Sequence, residues 1–324
     1  MFSWVSLFYL HRRPKIFLKY SVMGFWTNNP CSPTWFGLVS SWATSHPPLL
    51  LETNPPLFPI HPIRGCTFGL ATEEDIQQIA AFWESWFSKS RCSITESRIR
   101  ASHAKGLWDI CVARHGSRVI GTIVRRWVHG LHVKGAYIPK AGIIDFLCVH
   151  PAWKKKGVGR TLICLVQNAA PRPFPPHLML WETYIPSIPP AVVGSYWKKE
   201  CVVGKRDRLS EEEERGIWSV MKEGRTIWSD YARSDDMHIY SVGRGAIVIW
   251  NTWHRRVPEG DYIGIVLAAT AAEAVREFVT CSPFGLLLAD TKYEGWEWNG
   301  PFQWGLYNMN IGCISTQMPL LVFN

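Results

Sequence analysis

The sequence contains no apolar run long enough to cross a membrane as a helix. The most apolar stretch near its start covers residues 2–10, whereas a membrane-spanning helix needs about 20 apolar residues. The positive charges of Arg12 and Arg13 follow this stretch, but a secretory signal peptide carries such charges in front. We therefore expect neither a transmembrane segment nor a signal peptide.

Ordered cysteine patterns are also missing. The 9 cysteines lie at irregular positions and include no CxxC pair, and adding the 11 histidines creates no zinc-ligand spacing. An odd number of irregularly spaced cysteines in a chain of 324 residues indicates reduced, mostly buried thiols. We therefore expect a cytoplasmic protein without a metal site.

Nucleotide-binding motifs are absent as well. No GxGxxG opens the first predicted helix, and no GxxxxGK(S/T) loop occurs. The chain is basic, with 35 Lys and Arg against 26 Asp and Glu, which raises nucleic acid, acidic membranes and phosphorylated small molecules as partners. We expect no nucleic-acid partner, because the basic pairs are scattered and lack interleaved aromatic residues: Arg12-Arg13, Arg125-Arg126, Lys198-Lys199 and Arg255-Arg256.

The composition is that of a globular protein with an excess of tryptophan. Hydrophobic residues make up 47% and charged residues 19%, which excludes disorder as a description of the whole chain. The 18 Trp indicate deep cores or aromatic-lined pockets, although a compositional bias of the source lineage explains them equally well. We expect the chain to act as a monomer.

The elements predicted from periodicity repeat along the chain. Nine prolines punctuate residues 1–62, which we interpret as an irregular N-terminal arm. Residues 63–204 predict a strand, two helices, a hairpin, a strand, a basic loop, a helix and a strand, and residues 205–324 predict a shortened repeat of that order. The layout predicts an α+β fold of two tandem halves, with mostly antiparallel mixed sheets flanked by helices.

Two local patterns make this prediction more specific. Thr72 with Asp75 three residues later is a charged variant of a capping box, which predicts the start of the first helix. A loop containing Gly and Pro is expected between the strands at 118–128 and 142–149, and it would carry His129 and His132.

A basic, glycine-containing loop follows the strand at 142–149. Lys154, Lys155 and Lys156 precede Gly157–Arg160, which leads into an apolar helix. Such a loop presents unpaired backbone N–H groups and the positive end of the helix dipole, and its glycines allow a pyrophosphate to approach. A solvated basic turn is the alternative interpretation. The position between an apolar strand and an apolar helix favours a phosphate site.

This loop and the strand before it resemble parts of known acyltransferases. The loop is similar to the pyrophosphate loop of the GNAT superfamily, Arg/Gln-x-x-Gly-x-Gly/Ala, with Lys154 in the first position. The strand Ile144–His150 closely resembles the Asn-Phe-Leu-Cys-Val-His signature of N-myristoyltransferases, a family built from two GNAT-like halves. Taken alone, the same stretch is an ordinary core strand.

Three further segments resemble the N-myristoyltransferase family and occur in the family's order. Phe25–Pro30 is similar to its Phe-Trp-x-Thr-Gln-Pro segment, where the arm packs on acyl-CoA. Thr183 followed by Ile188–Lys198 is similar to a stretch in the middle of the family's chain, and Trp304–Asn308 is a weaker match near the C-terminus. Together with the strand signature, these segments span nearly the whole sequence.

The resemblance implies a site for myristoyl-CoA. In the family, backbone N–H groups at the Phe-Leu pair stabilise the thioester oxygen, which assigns that role to Phe146 and Leu147; a donor of this kind contributes roughly 3 kcal/mol. The residues that the resemblance assigns to acyl-CoA binding are Phe25, Trp26, Thr27, Phe146, Leu147, Cys148, Val149, Lys154, Lys155, Lys156, Gly157, Val158, Gly159 and Arg160.

The resemblance also implies direct transfer of the acyl group to the N-terminal glycine of a protein. In the family the chain's own terminal carboxylate accepts the proton of the glycine ammonium, and Asn324 would take this part here. Thr183 is expected in catalysis and substrate binding, with Tyr196 and Asp290 as further substrate-binding residues. The apolar residues 320–323 favour a buried terminal strand, whereas fraying is the general expectation for a terminus.

Several residues depart from the family's pattern. The family's acidic loop is basic here at Ser88–Ser93, its Thr-Gln-Pro element reads Thr27-Asn28-Asn29-Pro30, and Asp145 replaces the Asn before the Phe-Leu pair. A different peptide preference is therefore expected. A GNAT acetyltransferase acting on a small amine or a protein, and a catalytically silent acyl-CoA-binding module, are the alternatives.

Overall fold

The computed structural model describes residues 49–50, 57–87, 91–172, 177–181, 190–256, 259–307, 309–310, 314–315 and 318–322. Five of the expected site residues lie outside these ranges: Phe25, Trp26, Thr27, Thr183 and Asn324. Most of the N-terminal arm, 1–62, lies outside them too. The expectations for these residues therefore stay predictions.

The described residues form five α-helices, which occur in the predicted order. They are α1 (Ile76–Trp86), α2 (Glu96–Ala104), α3 (Val158–Asn168), α4 (Glu211–Met221) and α5 (Ala272–Phe278). The predicted capping box is present before α1, where the Asp75 carboxylate accepts the backbone N–H of Thr72 at 2.7 Å. None of the described helices has the length and apolarity that a membrane span requires.

The described strands contain the predicted order, and they add a long strand at Pro190–Glu200 and short strands at Arg91–Cys92 and Ile227–Ser229 that were not predicted. They are β1 (Leu49–Leu50), β2 (Cys66–Leu70), β3 (Arg91–Cys92), β4 (Trp108–His115), β5 (Arg118–Val133), β6 (Ala136–Val149), β7 (His177–Trp181), β8 (Pro190–Glu200), β9 (Ile227–Ser229), β10 (Met237–Val242), β11 (Gly245–Arg255), β12 (Tyr262–Ala269), β13 (Phe284–Ala289), β14 (Glu297–Tyr307), β15 (Met309–Asn310) and β16 (Ile314–Ser315).

Most of these strands belong to one sheet that runs through both halves of the chain. Its order is β10-β11-β12-β13-β8-β14-β7-β6-β5-β4-β2. The pairs are antiparallel except for β6 with β7, β12 with β13, and β8 with β16. The α+β prediction of mostly antiparallel, mixed sheets flanked by helices is therefore confirmed, and strand β14 joins the halves by lying between β7 and β8.

The prediction of a loop at 129–141 is wrong, because the two strands continue into a long hairpin. β5 extends to Val133 and β6 begins at Ala136, and these two residues pair. The turn between them has Lys134 at φ 46° and Gly135 at φ 83°, and two positive φ values suit the twist of a tight hairpin. His129 and His132 are consequently strand residues, and the His132 ring stacks on Trp228 with centroids 3.6 Å apart.

The helices of the first half cover opposite faces of its sheet. Trp83 of α1 and Phe146 of β6 belong to one buried cluster, whereas Val158 and Leu162 of α3 belong to another with Ile123 of β5. Strand β6 therefore lies between two cores, with the N-terminus of α3 beside its C-terminal end.

Candidate active site

Strand β6 carries an extra residue at the position of the expected oxyanion site. Val124 of β5 pairs with Asp145, but Thr122 pairs with Cys148, so one residue of β5 lies opposite two residues of β6. Phe146 adopts φ 51°, a left-handed conformation that costs a non-glycine residue roughly 1–3 kcal/mol. The sequence resemblance predicts special backbone amides at this pair of residues, and a β-bulge is a device that redirects such groups.

Packing around the Phe146 ring compensates for the strained backbone. The ring stacks on Trp83 with centroids 4.4 Å apart and contacts Phe87 at 5.0 Å. The hydroxyl of Thr122 donates to the Phe146 carbonyl at 3.1 Å and accepts the Trp83 indole N–H at 2.8 Å. Buried contacts on the ring and the carbonyl thus fix the bulge from one side.

The sheet opens at the bulge. β6 pairs with β7 only through Gly142, Ile143 and Ile144, so in the described part of the chain no strand covers Asp145–Val149 on that side. Leu147 is 40% exposed, although it lies within a strand between buried neighbours. The backbone of β6 from Asp145 to Val149 therefore has no strand partner on this side among the described residues.

One of the two expected donor amides already has an acceptor. The backbone N–H of Phe146 donates to the carboxylate Oδ1 of Asp145 at 2.7 Å. The same carboxylate accepts a hydrogen bond from the Arg126 guanidinium at 2.7 Å. A thioester oxygen at this site would therefore face the backbone amide of Leu147 and that of Phe146, whose N–H is already hydrogen-bonded to Asp145.

A buried charge network connects the bulge with the second half of the chain. Arg126, whose side chain is 1% exposed, lies 2.7 Å from Asp145 and 3.3 Å from the fully buried Asp236. Asp236 also accepts from Arg98 of α2 at 3.4 Å and from the indole N–H of Trp253 on β11. The sequence gives no sign of this network, since Arg126 is one half of a basic pair that resembles a surface feature.

The basic loop forms the N-terminal end of α3. Gly157 caps the helix at φ 88°, which favours glycine, and Lys155 also has a positive φ of 61°. The first intrahelical bond runs from the Thr161 N–H to the Gly157 carbonyl at 3.0 Å. The N–H groups of Val158, Gly159 and Arg160 consequently have no acceptor inside the helix.

The charged side chains of this loop face solvent. Lys154, Lys155, Lys156 and Arg160 are exposed, and the Lys156 ammonium lies 4.8 Å above the Trp153 ring. The loop therefore combines free amides, a helix dipole and four cations, as an anion-binding site requires.

The two other residues expected near acyl-CoA on β6 pack against the flanking helices. Cys148 is buried in the α1 cluster, and burial raises the pKa of its thiol to about 12, so it is protonated and unreactive near neutral pH. Val149 packs against α3, where a Cβ on Gly159 would lie 3.6 Å from its Cγ2. Both residues support the site through packing.

Tyr196 and Asp290 lie together at a buried segment near the C-terminus. The Tyr196 ring stacks on Phe302 with centroids 4.5 Å apart, and its hydroxyl lies 4.0 Å from the sulfur of Met318. The Asp290 carboxylate accepts the Met318 backbone N–H at 2.9 Å. Their expected contact with substrate stays a prediction, and the contact that the structure describes is with Met318.

Hydrogen bonds hold this segment, residues 318–322, along most of its length. Arg225 donates to the Met318 carbonyl at 2.8 Å, and Leu320 exchanges backbone bonds with Ile227 and Ser229 of β9 at 3.0 Å and 2.8 Å. The Ser229 hydroxyl accepts the Val322 N–H at 2.6 Å. The expectation that residues 320–322 are buried is confirmed, although they form a single β-bridge and no regular strand.

Comparison with known proteins identifies the fold. The sequence matches no family model and no curated protein. In structure, the chain is similar to the N-myristoyltransferase of Saccharomyces cerevisiae with bound myristoyl-CoA and inhibitors, with a TM-score of 0.65 and 11% identity over 93% of both chains. Another structure of that enzyme with bound myristoyl-CoA gives a TM-score of 0.60 and 11% identity, covering 80% of this chain and 82% of that chain. The chain therefore has the N-myristoyltransferase fold.

Proposed function

We propose that the protein is an acyl-CoA-dependent N-acyltransferase that transfers a long-chain acyl group, myristoyl, to the N-terminal glycine of a protein. The observation that carries this proposal is the open bulge at Phe146 and Leu147 directly before the basic N-terminus of α3. These two features supply a site for a thioester carbonyl and a site for a pyrophosphate on one continuous stretch of chain.

The residues present fit the phosphate end of acyl-CoA. The free amides of Val158, Gly159 and Arg160 and the Gly157 turn form a backbone cradle, and Lys154–Lys156 add charge around it. The pantetheine arm would then lie along the uncovered β6 edge and reach the bulge. The expected arm residues Phe25, Trp26 and Thr27 are proposed to cover the acyl-CoA from the other side.

The bulge amides would stabilise the oxyanion that forms when the amine attacks the thioester. The amine nitrogen forms a bond to the acyl carbon, the carbon–sulfur bond breaks, and the electron pair leaves with the CoA thiolate. Removing one such donor in other enzymes costs about 10²- to 10³-fold in rate. The Leu147 amide and the shared Phe146 amide are proposed for this role.

The attacking amine must first lose a proton, because its pKa lies near 8. We propose that the carboxylate of Asn324 accepts this proton where Asn324 ends the chain, and that Thr183, Tyr196 and Asp290 surround the acceptor. The fixed course of residues 318–322 supports this proposal, since it restrains the chain up to the second residue before Asn324. A C-terminal tag should then reduce turnover sharply and leave acyl-CoA affinity unchanged.

Mass spectrometry tests the proposed activity directly. The purified full chain is incubated with myristoyl-CoA and a peptide that begins with glycine, and the peptide should gain one C14 acyl group. A peptide of the same sequence with an acetylated N-terminus is the control and should gain nothing. No product across a panel of acyl chain lengths from acetyl to palmitoyl would overturn the proposal, whereas exclusive use of acetyl-CoA would favour an acetyltransferase.

A further inference from the structure

Asp145 places a negative charge beside a site where a second negative charge would develop. Its carboxylate lies 2.7 Å from the Phe146 amide nitrogen, which is one of the two donors proposed for the thioester oxygen. A neutral Asn stands at this position in the family that the sequence resembles. An unbalanced carboxylate here would repel the oxyanion of the transition state and compete with it for the Phe146 N–H.

Arg126 is placed to balance this charge. Its guanidinium lies 2.7 Å from the Asp145 carboxylate and 5.7 Å from the centroid of the Phe146 ring, so it contacts both residues at the start of the bulge. The Arg126 side chain is 1% exposed and that of Asp145 is 29% exposed. Solvent therefore screens the pair only partly, so an Asp145 carboxylate without Arg126 would act strongly on a nearby oxyanion.

Asp236, the other carboxylate beside Arg126, has further partners. Asp236 lies 3.3 Å from Arg126, but it also binds the Arg98 guanidinium at 3.4 Å and the Trp253 indole N–H. Asp236 thus has the Trp253 donor and a second cation, Arg98, which it shares with Asp235 at 3.1 Å. The Asp235 side chain is 65% exposed, so solvent screens much of its charge. Within the described part of the chain, the cation paired with Asp145 is Arg126.

We propose that Arg126 is a positioning residue for acyl transfer, which neutralises Asp145 and keeps the Phe146 amide available to the thioester oxygen. This inference rests on the proposed function. It also explains how the site tolerates an acid at position 145, because the Asp145–Arg126 pair is neutral as a unit. Without Arg126, the carboxylate would bind the Phe146 N–H alone and repel the oxygen.

The test compares two ligands in a binding measurement. Myristoyl-CoA has the thioester carbonyl, whereas S-alkyl-CoA of equal chain length is a thioether without it. We expect calorimetry on the full chain, without acceptor peptide, to give tighter binding of the thioester. In Arg126→Met this preference should disappear while the affinity for the thioether is unchanged, and kcat in the acylation assay should fall about 10- to 100-fold.

Two further variants separate this role from a general loss of structure. Arg125→Met is the matched control, because Arg125 is the adjacent strand residue and equally buried, but it binds Asp109 and the carbonyls of Val166 and Ala169 near the end of α3. We expect it to lose stability and keep the thioester preference. Adding Asp145→Asn to Arg126→Met should restore the preference and most of kcat, because it removes the unbalanced charge.

The outcomes distinguish this inference from the proposed function. If the unmodified chain binds neither ligand, or does not prefer the thioester, the proposed acyl-CoA site itself is overturned. If the unmodified chain prefers the thioester and Arg126→Met, folded as judged by circular dichroism, keeps that preference, the role of Arg126 is overturned. Failure of Asp145→Asn to rescue a folded Arg126→Met variant would equally overturn it.

Discussion

The carboxylate of Asp290, the residue directly after β13, accepts the backbone N–H of Met318 at 2.9 Å. Arg225 binds the carbonyl of the same residue at 2.8 Å, so both backbone groups of Met318 are held by side chains of the second half. The Met318 sulfur in turn lies 4.0 Å from the Tyr196 hydroxyl. Two residues expected at the substrate are thereby linked through one buried residue near the C-terminus.

Replacing Asp290 should therefore loosen the segment 318–322. In Asp290→Ala the Met318 N–H loses its acceptor inside the protein, which costs roughly 1–3 kcal/mol for a buried group. We expect a lower free energy of unfolding in urea and faster hydrogen exchange at the amides of residues 318–322. Glu74→Ala, at an exposed residue just before α1, is the control and should change neither. Unchanged exchange in the Asp290 variant would contradict this role.

The strained backbone at Phe146 predicts an inverted order of two substitutions. A protein with Gly inside a strand is normally less stable than one with Ala there, by roughly 0.5–1 kcal/mol. At φ 51° Gly avoids the strain that Ala would keep, while both variants lose the same ring contacts with Trp83 and Phe87. We expect Phe146→Gly to be the more stable of the two by about 1 kcal/mol.

Urea denaturation of both Phe146 variants measures this difference. The same pair of substitutions at Cys148, two residues further along β6, provides the control, because Cys148 is not among the residues with positive φ. There Ala should be the more stable variant. If the Ala variant is the more stable one at both positions, the backbone at the bulge is not strained.

Much of the fold was predictable because local patterns decide it. Helix α4 is the first helix of the order predicted for residues 205–324, and its capping box and apolar stripe are contiguous in sequence. The hairpin beyond Val128 was not predicted, because polar residues such as His129 and Lys140 face outward along a paired strand and look like loop residues. Periodicity is hidden where a strand carries charges at its edge and Gly and Pro occur within it.

The site was predictable only in its backbone. The segment at 144–150 and the loop at 154–160 are continuous, so their spacing alone indicates a strand followed by a helix N-terminus. The Arg126 network is different, because its partners are far apart: Asp145 lies 19 and Asp236 lies 110 positions away in sequence. Only the folded sheet brings these charges together, and a single sequence contains no record of that contact.

The basic loop should bind acyl-CoA in a salt-dependent way. Its three lysines are exposed, so salt screens their attraction to phosphate, with a screening length of about 10 Å at 0.1 M. We expect Lys154→Ala, Lys155→Ala and Lys156→Ala each to weaken the binding of CoA in calorimetry by up to about tenfold at low salt, and less at high salt. Lys105→Ala, at an exposed lysine after α2, should have no effect. Equal losses for Lys105 and Lys154 would favour non-specific charge attraction.

His238 should make the protein less stable in mild acid. Burial, reinforced by the nearby Arg208 charge, lowers the pKa of this side chain to about 4, whereas the unfolded chain titrates near 6.5. Between these values the unfolded state binds a proton that the folded state does not, so stability is complete above pH ~6.5 and is lost as pH falls towards 4. The loss amounts to as much as roughly 3 kcal/mol.

Replacing His238 tests this assignment. His238→Phe retains an aromatic ring beside Tyr240 and Phe284 but cannot be protonated. Urea unfolding of both chains at a series of pH values should give a smaller decrease between pH 7 and pH 4 for the variant, because one titrating group has been removed. His129→Phe is the control at an exposed histidine, and it should leave most of the decrease in place. If the His238 variant loses stability in acid as steeply as the unmodified chain, the acid sensitivity arises from other groups.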